Sequence, residues 1–346
     1  MRFTSNTGIT SISKHVGPDC KLRTRSKYPE EEVMKAVRYH RYGDSDVLDY
    51  EKIERPVPGA GEALVKVAAT SFNPVDAAIR AGYLTEVFPI ALPHIPGVDV
   101  AGTITELGPD IAGNLHVDDA VVAFLPMTAD GAAAEYVLAP AEALAAAPRT
   151  VELADAAALP ATGLTAWQAL FELAETKPGQ TILINGAGGA VGGYATQLAK
   201  QAGAVVTATA STRSADRLRD YGADRIIGHL DHTTPSLTVD GGTFDVVLNL
   251  VATSPAETAG LVDLVRDGGT LLSTTTPPPE NPGRQVRTAR VFVRGDARQL
   301  AGLVDRVDAG TLRIDVADRR PLADLASVHE DAATGRLRGK TILIPA

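Results

Sequence analysis

The chain reads as a two-part α/β protein, a β-rich first section followed by a parallel, doubly wound sheet. Three observations predict this. Short strand-like runs separated by Pro/Gly turns fill residues 34–124. Near Pro160 the texture switches to strand–helix alternation, the order that builds parallel sheets from βαβ units. At 346 residues the chain is also long for one hydrophobic core.

In order along the chain, residues 1–33 are rich in Ser, Thr, Lys and Arg, lack periodic apolar positions and hold the single cysteine, Cys20. They are expected to form a disordered extension, or to precede a natural start at Met34. They contain no apolar segment of a secretory signal, and Asp19 with Glu30, Glu31 and Glu32 weighs against a transit peptide. Strands are expected at 36–39, 63–68, 98–106 and 120–124, with Pro56-Val57-Pro58-Gly59 as a turn. In the second section, 181–185, 205–210, 245–250 and 270–273 are apolar strand-like runs, separated by helical segments such as 191–202 and 214–221. A helix at 297–309 precedes a last strand, 340–344, expected to return to the first section.

Bulk properties exclude several function classes. A net charge of −9 repels a nucleic-acid backbone. No apolar run approaches the ~20 residues of a membrane span; the Ala-rich stretch 132–161 is interrupted by Glu135, Glu142, Arg149, Glu152 and Asp155. One cysteine makes neither an intramolecular disulfide nor a thiolate metal site, so a reducing, cytoplasmic setting is expected. The histidines are scattered, apart from His229 and His232, which follow a strand of the second section and face either a cofactor or solvent. No converging set of metal ligands is expected, nor is metal-dependent chemistry.

The strongest chemical signal is Thr181-Ile-Leu-Ile-Asn185-Gly186-Ala187-Gly188-Gly189-Ala190-Val191-Gly192. An apolar strand runs into a glycine cluster, which runs into an amphipathic helix, the context a dinucleotide-binding turn requires. Gly186, Gly189 and Gly192 are expected to serve a tight turn, close approach to a diphosphate and close helix–sheet packing, respectively. The free N–H groups and positive dipole end of the following helix suit phosphate. The next strand ends in Ser211-Thr212-Arg213. An NAD site places Asp or Glu near here to hold the ribose 2′-hydroxyl, yet no acid occurs before Asp216. Three donors in its place favour a 2′-phosphate and hence NADP(H), although Arg213 also reads as a solvated helix-start residue.

Further motifs carry a resemblance. Met34-Lys-Ala-Val, Asn73-Pro74-Val75-Asp76 with Ile79-Arg80 and Gly82, Pro96-Gly97-Val98-Asp99-Val100-Ala101-Gly102, Thr162-Gly163-Leu164-Thr165-Ala166, the 186–192 turn and the ending Gly335-Arg336 with Gly339-Lys340-Thr341-Ile342-Leu343 occur together, in order, over 34–346. In these the chain resembles the zinc-free quinone oxidoreductase branch of the medium-chain dehydrogenase/reductase superfamily. The resemblance implies a GroES-like substrate domain (34–158 and 296–346) split around a Rossmann domain (159–295), with the active site between them, and a homodimer or homotetramer. It implies that Asn73 and Thr162 border the nicotinamide and that Gly188, Gly189, Ala190 and Val191 hold the diphosphate. Ser211 and His229 would lie near the 2′-phosphate, with Arg213 as a local addition, Ser273 and Thr274 at the nicotinamide ribose, and Phe292 toward the nicotinamide end.

The family often carries a tyrosine after Asn-Pro-Val, where this chain has Asp76-Ala77-Ala78, so the pocket is expected to be wider or more apolar. Tyr83 either substitutes as a donor or packs with its hydroxyl in solvent; Asp76 either serves the site or caps the helix that follows. His94 reads as structural, and Trp167 with Phe171, spaced i, i+4, as core packing. The leading reading is NADPH-dependent hydride transfer to a quinone or an α,β-unsaturated carbonyl. Its alternatives are a dedicated enoyl reductase of a biosynthetic, polyketide-like pathway and an NADPH-binding sensor without turnover.

Overall fold

The computed structural model describes residues 33–111, 113–233 and 236–346; the expectations for the leader and Cys20 lie outside them. The first strand among the described residues starts at Val33, one residue before the change of texture at Met34. A hairpin of β1 (Val33–Arg38) and β2 (Asp49–Glu54) leads into β3 (Glu62–Ser71), then α1 (Pro74–Arg80), β4 (Asp99–Leu107), β5 (Ala120–Phe124), β6 (Tyr136–Pro140) and β7 (Ala145–Ala146). Two short helices, α2 (Leu153–Ala156) and α3 (Pro160–Trp167), cross to the second section. There β8 (Thr181–Asn185), α4 (Ala190–Gln201), β9 (Val205–Thr209), α5 (Thr212–Asp220), β10 (Arg225–Ile227), β11 (Phe244–Asn249), α6 (Pro255–Gly260), β12 (Val265–Ser273) and β13 (Arg287–Arg290) alternate. Helix α7 (Ala297–Asp308), β14 (Asp318–Pro321), α8 (Leu325–Ala333) and β15 (Thr341–Ile344) complete the chain.

The second section forms a six-stranded sheet in the order β10-β9-β8-β11-β12-β13, every neighbouring pair parallel. Numbered within the sheet this is 3-2-1-4-5-6, the doubly wound order whose ligand crevice lies where β8 and β11 diverge. The strands are continuous apolar runs because both faces are covered: β11 is buried at all six positions and β8 at four of five. Helix α4 covers one face with Tyr194, Ala195, Leu198 and Ala199 in the core.

The first section is mainly antiparallel. Strand β3 pairs with β4 along most of its length and, on its other edge, with β6. The last strand, β15, also joins that edge, with Ile342 opposite Ser71 and Leu343 opposite Thr70. The chain's end therefore returns to the first section, as expected of this last strand. This return delivers residues near the C-terminus to the segment that contains Asn73. One large core, including Val98, Ala101, Leu159, Leu164, Ile182 and Leu198, is continuous across both sheets. Trp167 and Phe171 pack at its edge with ring centroids 4.5 Å apart, as their spacing predicts.

Among the described residues no helix is long and apolar enough to cross a membrane.

Candidate active site

Four parallel strands end at the crevice in polar residues, and those residues lock one another. Asn185, at the end of β8, donates from Nδ2 to Asn249 Oδ1 at the end of β11 (2.9 Å). Thr209, at the end of β9, donates to Asn185 Oδ1 (3.0 Å) and accepts the Gly186 N–H (2.8 Å). Asn249 Nδ2 reaches the Val251 carbonyl and Thr253 Oγ1, each at 3.1 Å. Asn249 and Ser273 are fully buried, so these bonds also meet the requirement that buried amides and hydroxyls find partners. Sequence reading missed Asn185, Thr209 and Asn249 as site residues. The available signal was a polar residue ending each of three apolar strands.

The glycine turn sits on this lattice. Gly186 has φ +87°, in the region that favours glycine, and turns the chain out of β8. A Cβ on Gly192 would stand 2.4 Å from Ala187 Cα and 2.5 Å from its carbonyl oxygen, so α4 rests directly on the turn's backbone. At Gly189 a Cβ would meet only the Gly186 carbonyl oxygen, at 3.5 Å. Arg217, from α5, donates to the Gly188 carbonyl (2.7 Å) and pairs with Asp315, tethering the turn from outside. A diphosphate fits this cradle: a twelve-residue helix offers its N-terminal amides, and the backbone is bare of side chains where a phosphate must approach.

At the end of β9, Ser211 caps α5 without a side-chain cap bond, and Thr212 and Arg213 are exposed. The Arg213 guanidinium makes no hydrogen bond or ion pair among the described residues, so it is not committed elsewhere. His229, beyond β10, is exposed. At the end of β12, Thr274 N–H bonds the Asn249 carbonyl (3.0 Å), and Ser273 Oγ accepts from Asn249 Nδ2 (3.3 Å). Phe292 is exposed beyond β13, with the Arg290 guanidinium over its ring.

Across from the turn lies a second polar group, this one containing charges. Asn73 lies between β3 and α1 and is only 5% exposed. Its Nδ2 donates to Asp99 Oδ2 (2.8 Å), and its Oδ1 accepts from Lys340 Nζ (2.7 Å). Asp99, wholly buried, also accepts from Ser71 Oγ and, through Oδ1, from the Ala161 N–H in α3 (2.7 Å). Thr162, beside Ala161, donates to the Ala158 carbonyl (2.7 Å), as does Tyr194 of α4 (3.2 Å). A chain of bonds thus runs from Asn73 through Asp99 and α3 to the helix that follows the glycine turn, bringing Asn73 and Thr162 into one neighbourhood with that helix. Asp99 and Lys340 were noticed in the sequence only as parts of motifs.

Asp76 takes the capping role expected as one of its two readings. Its Oδ2 accepts from the Asn73 N–H (3.0 Å) and its Oδ1 from the Gly97 N–H (3.1 Å). Burial outweighs these bonds and pushes its carboxyl up to about 6. His329 stacks edge-on against Phe72 and accepts from Arg80 Nε (3.3 Å); burial, then the neighbouring guanidinium, pushes its imidazole down to about 3. His94 is buried against Tyr39, and burial pushes it down as well, in keeping with a structural role. Tyr83 is 82% exposed, and its hydroxyl makes no hydrogen bond among the described residues.

Comparison with known proteins matches residues 59–149 to the alcohol dehydrogenase GroES-like domain and residues 221–343 to the zinc-binding dehydrogenase domain. A chloroplast envelope quinone oxidoreductase homolog of Arabidopsis thaliana is 31% identical over 331 residues, covering 90% of this chain and 99% of that one. This chain belongs to the quinone oxidoreductase family of the medium-chain dehydrogenases/reductases. The family's catalysts are nicotinamide-dependent oxidoreductases, and this quinone oxidoreductase-family chain is one of them. A 2-methylene-furan-3-one reductase of Solanum lycopersicum is 30% identical over 325 residues, 90% of this chain and 79% of that one. A mycobacterial structure complexed with NADPH superposes with a TM-score of 0.77 at 28% identity, over 90% of this chain and all of that one. One domain description names zinc, but among the described residues of this family member no three His, Cys, Asp or Glu side chains gather to hold a metal ion. These side chains therefore offer zinc no donor set.

Proposed function

We propose that this oxidoreductase uses NADPH to reduce a quinone or an α,β-unsaturated carbonyl, without zinc. The observation that carries the nucleotide choice is the acid-free end of β9. Ser211, Thr212 and Arg213 supply donors where an NAD site needs a carboxylate, and the NADPH-bound mycobacterial relative supports the same choice.

In this reading the amides of Gly188, Gly189, Ala190 and Val191, entered through Gly186 and Ala187, bind the diphosphate. Ser211, Thr212, Arg213 and His229 hold the 2′-phosphate, while Ser273 and Thr274 border the nicotinamide ribose. Asn73 and Thr162 orient the nicotinamide ring, with Phe292 toward the same end. When bound, NADPH supplies a hydride from nicotinamide C4 to an electron-poor carbon, and a quinone ring or enone β-carbon accepts it without a Lewis acid. The protein's task is to hold donor and acceptor carbons in contact and to exclude water. The balancing proton goes to the resulting oxyanion or enolate from the Tyr83 hydroxyl or from water.

The test is NADPH oxidation against a panel of quinones, enones and enoyl thioesters. Turnover with quinones or simple enones supports the reading, turnover confined to enoyl thioesters makes the chain a dedicated enoyl reductase, and tight binding without oxidation makes it a sensor. Turnover that needs stoichiometric zinc refutes the metal-free mechanism. A homodimer or homotetramer belongs to the same proposal, with β13 at one edge of the parallel sheet, and sedimentation equilibrium tests it.

A further inference from the structure

The buried charges beneath Asn73 have no place in the hydride-transfer scheme above. Lys340 is 5% exposed and uses all three ammonium protons: on the Phe72 carbonyl (3.2 Å), Asn73 Oδ1 (2.7 Å) and Asp99 Oδ2 (3.2 Å). It is therefore a saturated cation with no lone pair to offer a substrate. Asp99 is equally occupied, by Ser71 Oγ, Asn73 Nδ2, Lys340 Nζ and the Ala161 N–H. A packed apolar pair would fill such a site at less cost in desolvation, so the charges invite a reason.

The reason is visible at Asn73. An asparagine amide rotated by half a turn looks nearly the same in shape but exchanges donor and acceptor. Here rotation would aim Oδ1 at a carboxylate and Nδ2 at an ammonium, so the charge pair permits one orientation alone. One Oδ1 lone pair is then left without a partner. The same two residues fix the backbone on either side: Lys340 holds the Phe72 carbonyl, and Asp99 ties this loop to the first turn of α3 through Ala161.

We propose that Lys340 and Asp99 are positioning residues that lock the Asn73 amide as a hydrogen-bond acceptor toward the nicotinamide and set the Asn73 loop against α3. This rests on the NADPH reading above and extends it to two residues that touch neither nucleotide nor acceptor. Because β15 carries Lys340, the locking group arrives only when the end of the chain closes on β3.

The experiment compares the wild-type protein with Lys340→Met, Lys340→Arg, Asp99→Asn and the double variant Lys340→Met/Asp99→Asn. It measures NADPH affinity, kcat with a p-quinone, melting temperature and the fluorescence emission of bound NADPH. Misplacement on the ångström scale costs up to about 100-fold in rate, so Lys340→Met is expected to lose about that in kcat while NADPH affinity changes less than about 3-fold. Lys340→Arg keeps the charge and should regain about 10-fold of the loss. The double variant leaves no unpaired buried charge, so it should regain melting temperature without regaining kcat. A folded Lys340→Met or double variant whose kcat stays within about twofold of wild type overturns the proposal. If wild-type protein binds NADPH but reduces no acceptor, the reductase reading fails by itself. The emission of bound NADPH then decides: a shift in Lys340→Met supports the positioning role, and an unchanged spectrum overturns it.

Discussion

Two glycines three residues apart have opposite surroundings, and substituting each by alanine separates folding from ligand binding. At Gly192 the new methyl would lie 2.4 Å from Ala187 Cα, against the 3.4 Å at which ordinary contact begins, so helix and turn must part by 3.4 − 2.4 = 1.0 Å. The atoms it meets are backbone, with no rotamer to swing aside. Alanine's higher helix propensity returns at most about 1 kcal/mol in the first turn of α4, but overpacking of a rigid contact costs about 1–3 kcal/mol. Gly192→Ala should therefore melt at lower temperature despite the better helix former. A 1 Å retreat also stretches a 2.9 Å phosphate bond past hydrogen-bonding range, and losing one charge-assisted bond worth about 1.5–3 kcal/mol weakens NADPH by roughly 10- to 100-fold. At Gly189 the methyl finds only the Gly186 carbonyl oxygen, at ordinary contact distance. Gly189→Ala should keep a melting temperature within about 2 °C of wild type, because the methyl invades only the space assigned to the diphosphate. Its NADPH affinity should fall by about 10-fold or more. Differential scanning fluorimetry and titration calorimetry with NADPH read both quantities. Unchanged NADPH affinity in Gly189→Ala would refute the assignment of this turn to the diphosphate; an unshifted melting temperature in Gly192→Ala would refute the packing argument.

Two further outcomes test the cofactor end and the core. Ser211→Asp places a carboxylate where the 2′-phosphate is expected and should raise the NADPH dissociation constant far more than that of NADH; equal losses, measured by titration, would defeat the 2′-phosphate assignment. His329 titrates at an ordinary 6.5 when unfolded and is pushed down to about 3 when folded. The native state therefore binds fewer protons between these values, and the stabilisation from keeping this ring neutral is present above 6.5 and lost as pH falls toward 3. From pH 7 to pH 5 the loss amounts to about 2 kcal/mol. Urea unfolding of wild type should show this loss relative to His329→Gln, whose side chain does not titrate; parallel pH dependences for the two would show that the ring is not buried neutral.

The parallel half of the fold was legible because burial on both faces forces its long strands to be continuous apolar runs, and the helices between them are marked by period. Strands β2, β6, β7, β10, β13 and β14 were not, and for β10 and β13 the reason is the complementary one. β13 is Arg-Thr-Ala-Arg at a sheet edge and β10 has three residues, so neither carries enough apolar surface to impose a pattern. The glycine turn was readable because its chemistry is local: turn, approach and packing are all set within seven residues. The lattice of Asn185, Thr209 and Asn249 depends on strand register, with Asn249 opposite Asn185, and register is not written in any one segment. Asp99 and Lys340 are the extreme case. They stand 241 positions apart, and either one alone reads as an ordinary surface charge.

That contrast has a physical consequence for where such a site is vulnerable. The proposed diphosphate cradle is made of backbone amides in the glycine turn and at a helix terminus, so most side-chain substitutions in that turn leave its donors in place, and only those that fill the cradle remove them. The half around Asn73 is made of side chains whose positions are set by one another: the amide by a carboxylate and an ammonium, the carboxylate also by a backbone N–H of α3. A change at any member leaves a buried charge or amide without its partner, and such groups are costly to strand. Substitutions far from the crevice, on β4 or β15, are therefore expected to reach the chemistry through this network. Equally distant changes on the outer faces of α5 or α7 should not, because among the described residues no comparable chain of buried bonds connects those faces to Asn73.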